Sequence, residues 1–290
     1  MKAILFALVL VSSFAASPSF SSPKVVYGTD DRTDLFHVTN PVYLKAARAS
    51  AAMMANFKVA NEVDGLIKLD TLPYGPTCKL CTDEKFYKQS MAANCSGFLV
   101  AKDLIVTAGH CMTSPEFCSR YSWVFDFQVS SDEQSEYLIP KNSVYHCKEI
   151  VESKQDTGDH LDYAVIRLDR PVTDREPVKV RRDLNTVPGT KVVLAGYPNG
   201  LPLKLAEGLL QETNLNYYRS NVDSFVLNSG SLIFNAITGE AEGILVGGMH
   251  DYTYDGAAGC FRTFKLTDGY GSGAERVTRI QRLLHLIPRT

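Results

Sequence analysis

The sequence predicts an all-β protein built as two antiparallel β-barrels with one C-terminal helix. Three observations lead there. Short apolar runs bounded by Gly, Pro, Asn and Asp recur along most of the chain, which is the form that strands and tight turns take. A Pro-rich, charged stretch at residues 169–190 separates two such series and reads as the crossing between two domains. Near the end, Val277, Ile280, Leu283, Leu284 and Ile287 fall at helical spacing before Pro288, the pattern of an amphipathic helix with a proline stop.

The chain has 290 residues, enough to bury a substantial core. Its 30 basic and 32 acidic residues nearly balance, so nothing indicates nucleic acid or an anionic membrane as a partner. No apolar run approaches the roughly 18 residues that a membrane-spanning helix requires. Residues 1–17 read as a secretory signal peptide, with Lys2 ahead of an apolar segment and then small polar residues. Residues 18–24 follow as a short propeptide. Lys24 is either a processing site or an ordinary surface residue. Residues 25–170 are expected to hold the N-terminal segment and the first barrel, and residues 171–290 the second barrel and the helix.

Seven cysteines in an exported chain read as a disulfide framework with one left over. Cys95 and Cys111 stand at the two ends of one hairpin, and closing that loop is worth on the order of 3 kcal/mol. Cys118 and Cys147, near the ends of the next β segment, suggest a second pair. Cys78, Cys81 and Cys260 stay unassigned. A zinc site from Cys78, Cys81, His146 and Cys147 lacks ligand spacing in its second half, and no metal is expected.

Taken in order, Asn40-Pro41 is a helix start with proline at the first helical position, and residues 42–51 are read as a short helix. Residues 52–59 follow as extended chain, and the Pro- and Cys-rich residues 72–84 as a loop. Residues 97–100 and 104–106 form a hairpin around Lys102-Asp103. The second strand runs into Thr107-Ala108-Gly109-His110-Cys111, a small-residue corner that a second side chain and a substrate can approach. Residues 123–127 and 137–140 are read as strands. Another strand begins at 147–151, followed by a polar loop at 152–160. Leu161–Leu168, LDYAVIRL, places Asp162, Ala164, Ile166 and Leu168 on one face. Beyond the crossing, Lys191–Gly196 is a buried-type strand, a turn covers residues 197–200, and residues 201–207 follow. The segments 225–234 and 242–247 flank a turn at 235–239.

A serine hydroxyl is a weak nucleophile until a histidine accepts its proton and a carboxylate holds that histidine in the right tautomer. The block CSGFLVAKDLIVTAGHC (residues 95–111), the strand LDYAVIRL and the segment DSFVLNSGSLIF (residues 223–234) occur in the order His, Asp, Ser. Together they resemble the trypsin-like, chymotrypsin-fold serine peptidases. The flanks VVYGTDDRTD, GYPNGLPLKLAEG, TGEAEGILVGG and ERVTRI resemble the bacterial glutamyl endopeptidase-like branch, so the likeness runs from about Val25 onward.

The resemblance implies barrels of chymotrypsin-like type with the active-site cleft between them, and a secreted endopeptidase acting on a protein or peptide; the triad chemistry requires no cofactor, and a monomer is expected though the sequence does not give the oligomeric state. His110 is implied as base, Asp162 as the orienting acid and Ser229 as nucleophile. The backbone N–H groups of Leu227 and Ser229 are implied as the oxyanion hole. Asp223, Ser224, Leu245, Gly247 and Gly248 are implied as substrate-binding. Three departures stand out. Leu227 replaces the usual glycine, and losing one oxyanion donor typically costs about a hundredfold or more. Asn228 replaces the aspartate of animal trypsins, so activation by a buried N-terminal ammonium is not expected. Leu232 stands where proline is usual. Asp223 either sits at the base of the specificity pocket, pairing with a substrate Arg or Lys, or caps a loop. Leu245-Val246-Gly247-Gly248 lacks the histidine that a glutamate preference uses. Leu227 also motivates a rival expectation, a catalytically impaired homologue whose cleft binds protein. An esterase lacks its Gly-x-Ser-x-Gly elbow here.

Overall fold

The computed structural model describes residues 26–132, 134, 136–248, 250–266 and 275–289. The signal-peptide and propeptide expectations lie outside these residues. Two closed, antiparallel, six-stranded barrels make up the fold. In the first, Tyr121–Val124, Val144–Asp156, Leu161–Leu168, Leu104–Thr107, Cys95–Ala101 and Ser50–Ala55 pair in that order and close on themselves. In the second, Lys191–Gly196, Leu232–Asn235, Ala241–Gly247, Glu275–Arg279, Tyr217–Ser220 and Lys204–Thr213 do the same.

The period-two rule for strands explains how one sequence serves two cores. Val192 and Leu194 point into the second barrel with Leu210, Tyr218, Ile233, Leu245 and Val277. Their neighbours Val193 and Ala195 point outward and join the continuous apolar cluster that fills the first barrel. The barrels therefore share a seam made by alternate residues of the same strands. Trp123 is fully buried in this cluster, and Gly97 faces its ring so closely that a Cβ would stand 2.5 Å away.

Asn40 caps the first helix, Pro41–Ala47, by accepting the Val42 N–H at 2.9 Å. That helix ends earlier than the reading of residues 42–51, because Ser50–Ala55 is needed as a barrel strand. The polar stretch after residue 151 continues as strand to Asp156. Its side chains alternate between half-buried and exposed while its backbone pairs with Leu161–Leu168, so polarity there marks a solvated face and not a loop. The C-terminal helix is corrected: Glu275–Arg279 is a barrel strand, and only Ile280–Leu283 turns, as a short 3-10 helix. Val277 faces the barrel interior while Ile280, Leu283 and Ile287 pack on the seam. Two burial sites in succession thus produce a spacing that imitates one helical stripe.

The N-terminal segment does not stay with the first barrel. Val26–Tyr27 pairs with Lys265–Leu266, and Thr33–Asp34 extends the strand Lys204–Thr213. Disulfides join Cys95 to Cys111 and Cys118 to Cys147, and a third, Cys81 to Cys260, spans 179 residues. Cys78 is the free thiol. With Cys81 and Cys147 in separate bridges, the four-residue zinc grouping has no basis.

Candidate active site

His110 sits in a one-turn corner at the end of Leu104–Thr107. Gly109 lets that corner lie against the hairpin of Val144–Asp156 and Leu161–Leu168; a Cβ there would be 2.2 Å from the Lys154 carbonyl oxygen. The approach brings His110 to Asp162, the second residue of the strand. The Asp162 carboxylate accepts twice from the histidine, at Oδ1 from the backbone N–H at 3.0 Å and at Oδ2 from Nδ1 at 2.7 Å. Asp162 is buried and the imidazole is about a third exposed. A carboxylate on Nδ1 places the Nδ1–H tautomer and leaves Nε2 free to accept a proton. The second barrel supports this strand through Thr278, whose hydroxyl donates to the Asp162 carbonyl at 2.9 Å.

Ser229 reaches the same corner through the Cys95–Cys111 bridge. Its carbonyl accepts the Ser96 N–H at 2.7 Å and lies 3.9 Å from the Cys111 sulfur, one residue from His110. Gly230 makes the approach feasible. Its φ is +88°, and a Cβ would meet the Ser96 carbonyl oxygen at 1.9 Å and Thr107 Oγ1 at 2.3 Å. No hydrogen bond joins the Ser229 hydroxyl to His110 among the described residues. Ser231 is turned away, its hydroxyl held by Asn228 Oδ1 at 2.6 Å in the space left by Gly196.

Leu227 has φ +68°, the left-handed conformation that glycine usually supplies. Val226, the residue before it, is held at both of its backbone groups. The Val226 carbonyl accepts the Asn199 N–H at 2.7 Å, and the Val226 N–H donates to Asp251 at 3.0 Å. Asp251 in turn accepts the Asn199 side-chain amide at 3.1 Å. Burial pushes the Asp251 carboxyl up to about 6, against the pull of these hydrogen bonds. Because a trans peptide points C=O and N–H in opposite directions, a carbonyl held by Asn199 leaves the Leu227 N–H facing the other way. Among the described residues, neither the Leu227 nor the Ser229 N–H donates to any acceptor.

Asp223 is 2% exposed, and both its oxygens are taken, by the Tyr27 N–H at 2.8 Å and the Asp31 N–H at 3.0 Å. Burial raises its pKa. Its bonds are those of a cap on the N-terminal segment. Ser224 donates to Glu275 at 2.5 Å. The Leu245 side chain lies in the second barrel's interior, and its backbone bonds Gly230 and Ser231. Gly248 is exposed and Gly247 half-buried. Sequence reasoning missed Asn199, Asp251 and Glu275. Asn199 lay in a stretch read only as a turn, Asp251 in no motif, and Glu275 within ERVTRI, which drew notice only as a family-like flank.

Cys95, His110 and Cys111 bring ligand-type atoms within 4.8 Å of one another. The two sulfurs are bonded together, so no thiolate is present to hold a metal.

The trypsin-like peptidase domain family model matches residues 95–244. A solved structure described as a Glu endopeptidase in complex with MPD has the same fold, with a TM-score of 0.52 and 17% sequence identity, over 91% of this chain and 97% of that one. No curated protein matches the sequence.

Proposed function

As this chain belongs to the trypsin-like peptidases and is by that membership a serine-type endopeptidase, we propose that His110, Asp162 and Ser229 form its catalytic triad. The observation that carries this reading is the doubly bonded Asp162–His110 pair, with the Ser229 carbonyl bonded to the Ser96 N–H beside the disulfide of the same corner. Ser229 Oγ attacks the substrate carbonyl carbon while its proton passes to His110 Nε2. Asp162 stabilises the resulting imidazolium and keeps Nδ1–H directed at itself. The carbonyl oxygen, now negative, accepts from the free N–H groups of Leu227 and Ser229. His110 then gives its proton to the departing amine, which leaves an acyl-enzyme on Ser229. Water repeats the sequence, losing its proton to Nε2, and the serine is released with a free carboxylate product.

The left-handed Leu227 supports this reading over that of an impaired homologue, because it supplies with a leucine the backbone shape that glycine otherwise allows. Export is part of the proposal. The N-terminal signal pattern and the three disulfides both suit an oxidising compartment outside the cytoplasm.

A fluorophosphonate probe tests it. The secreted protein should be labelled on Ser229, and Ser229→Ala should lose both labelling and peptide hydrolysis, by on the order of a millionfold, with its unfolding curve unchanged. Hydrolysis that survives in Ser229→Ala refutes the triad. A folded wild type that neither reacts nor hydrolyses leaves the protein-binding reading in its place.

A further inference from the structure

Residues 225–228 form a β-turn closed by the Asn228 N–H on the Phe225 carbonyl at 3.1 Å. Leu227, its third residue, has φ +68°, while Val226 before it keeps a negative φ, the type II form. Such a turn has two states that differ by reversal of its central peptide. In type II the Leu227 N–H faces away from Asn199. In type I Leu227 would take a φ of about −90°, and the Val226 carbonyl would lie where that N–H was. Glycine takes either form freely, but a leucine disfavours the left-handed one by roughly tenfold. Left to its own preference, this loop would turn a carbonyl towards the place where the proposed reaction develops negative charge.

A buried polar cluster acts against that preference. The Asn199 N–H holds the Val226 carbonyl at 2.7 Å, a bond that reversal would break. The Asp251 carboxylate accepts the Val226 N–H at 3.0 Å and the Asn199 side-chain amide at 3.1 Å, so it ties the two partners together. Asn199 is itself left-handed, at φ +53°, a conformation that asparagine tolerates better than most residues. Its side-chain oxygen faces the hydroxyls of Tyr74 at 3.2 Å and Tyr252 at 3.0 Å. Tyr74 belongs to the segment that leads to Cys81, and Tyr252 to the hairpin that contains Cys260. The Cys81–Cys260 bridge thus joins the two elements whose hydroxyls meet on Asn199. Tyr74, Asn199 and Asp251 are all buried.

We propose that Asp251 and Asn199 are positioning residues for the oxyanion hole, holding the turn at residues 225–228 in its type II state so that a leucine presents the backbone donor that glycine otherwise would. The effect on rate rests on the triad reading, whereas the orientation of the turn is a property of the fold alone.

Asp251→Leu tests this by removing the acceptor of both donors with a side chain of the same branching. Its crystal structure should show the Val226–Leu227 peptide reversed, with Leu227 at negative φ. In peptide hydrolysis kcat should fall on the order of a hundredfold with KM unchanged, the effect of one missing oxyanion donor. Asp251→Asn keeps an acceptor for Val226 and should restore the type II turn and most of the rate, a rescue that loosened packing would not give. Asn199→Gly keeps the left-handed backbone and its N–H but loses the amide; it serves if Asp251→Leu does not fold, and its kcat should fall about tenfold, the effect of roughly one hydrogen bond. An unreversed peptide in Asp251→Leu overturns the proposal, as does an unchanged kcat in these two variants of an active wild type. A wild type that is inert, yet has a type II turn that reverses in Asp251→Leu, supports the positioning role and refutes the triad reading.

Discussion

Gly230→Ala should uncouple the two barrels' contributions to the active site. The added methyl has two costs. Its φ of +88° is left-handed, where an L side chain costs roughly 1–2 kcal/mol. Its Cβ would also lie 1.9 Å from the Ser96 carbonyl oxygen and 2.3 Å from Thr107 Oγ1. Both atoms belong to the hairpin that carries His110, and Thr107 is itself bonded to the Ser96 carbonyl at 2.6 Å. Neither can swing aside as a flexible chain end would. Relief therefore requires the Ser229 loop to retreat by about 1 Å, breaking the 2.7 Å bond from Ser96 N–H to the Ser229 carbonyl. Overpacking of this kind adds roughly 1–3 kcal/mol, for a total on the order of 2–5 kcal/mol. Displacing Ser229, the nucleophile in the proposed triad, by about 1 Å costs on the order of a hundredfold in rate. Gly65→Ala provides the comparison, because Gly65 has φ +78° with nothing within 4 Å; it should lose the strain component alone and keep its rate. Urea unfolding and the fluorophosphonate labelling rate measure the two effects. Gly230→Ala with the wild-type labelling rate would refute the claim that this glycine sets the distance between nucleophile and base.

Two further outcomes follow from the same loop. In Leu227→Gly the relief of left-handed strain is offset by the greater freedom of an unfolded glycine, so stability should change by less than about 1 kcal/mol. The rate on an ester substrate should change little, because the Val226 carbonyl is already bonded to Asn199; a rise above tenfold would mean that the hole is normally closed. Asp251 predicts a pH effect. Its carboxyl is raised to about 6 in the folded protein, first by burial, against about 3.9 when unfolded. The native state therefore binds this proton more tightly, and the associated stability, present below about pH 4, is lost as pH rises to about 6. The difference amounts to about 3 kcal/mol at most. Asp251→Asn should flatten this part of the stability curve between pH 4 and 6, as read by chemical unfolding at stepped pH. An unchanged curve would place the titration elsewhere.

Much of this molecule can be read from local pattern. Strands such as Leu161–Leu168 and Lys191–Gly196, the capped helix start at Asn40-Pro41 and the hairpin from Cys95 to Thr107 each depend on neighbours in sequence. The three motifs holding His110, Asp162 and Ser229 are legible for the same reason, since each is a short run whose residue types are set by one side chain's needs. The bridges Cys95–Cys111 and Cys118–Cys147 are likewise local enough to be read. Where a segment answers to two environments, local pattern fails. The spacing of Val277, Ile280, Leu283 and Ile287 suits a helix, yet it arises from a strand facing one core followed by a turn facing another. Asp223 is a related case. In sequence it stands six residues before the serine and can serve either a substrate or a loop. What occupies its oxygens is the backbone of Tyr27 and Asp31, nearly two hundred residues away. The bridge from Cys81 to Cys260 and the Asn199–Asp251 clamp on Val226 are both long-range meetings of this kind. A sequence states what each residue can bond to, and barrel closure decides which of those partners comes within reach.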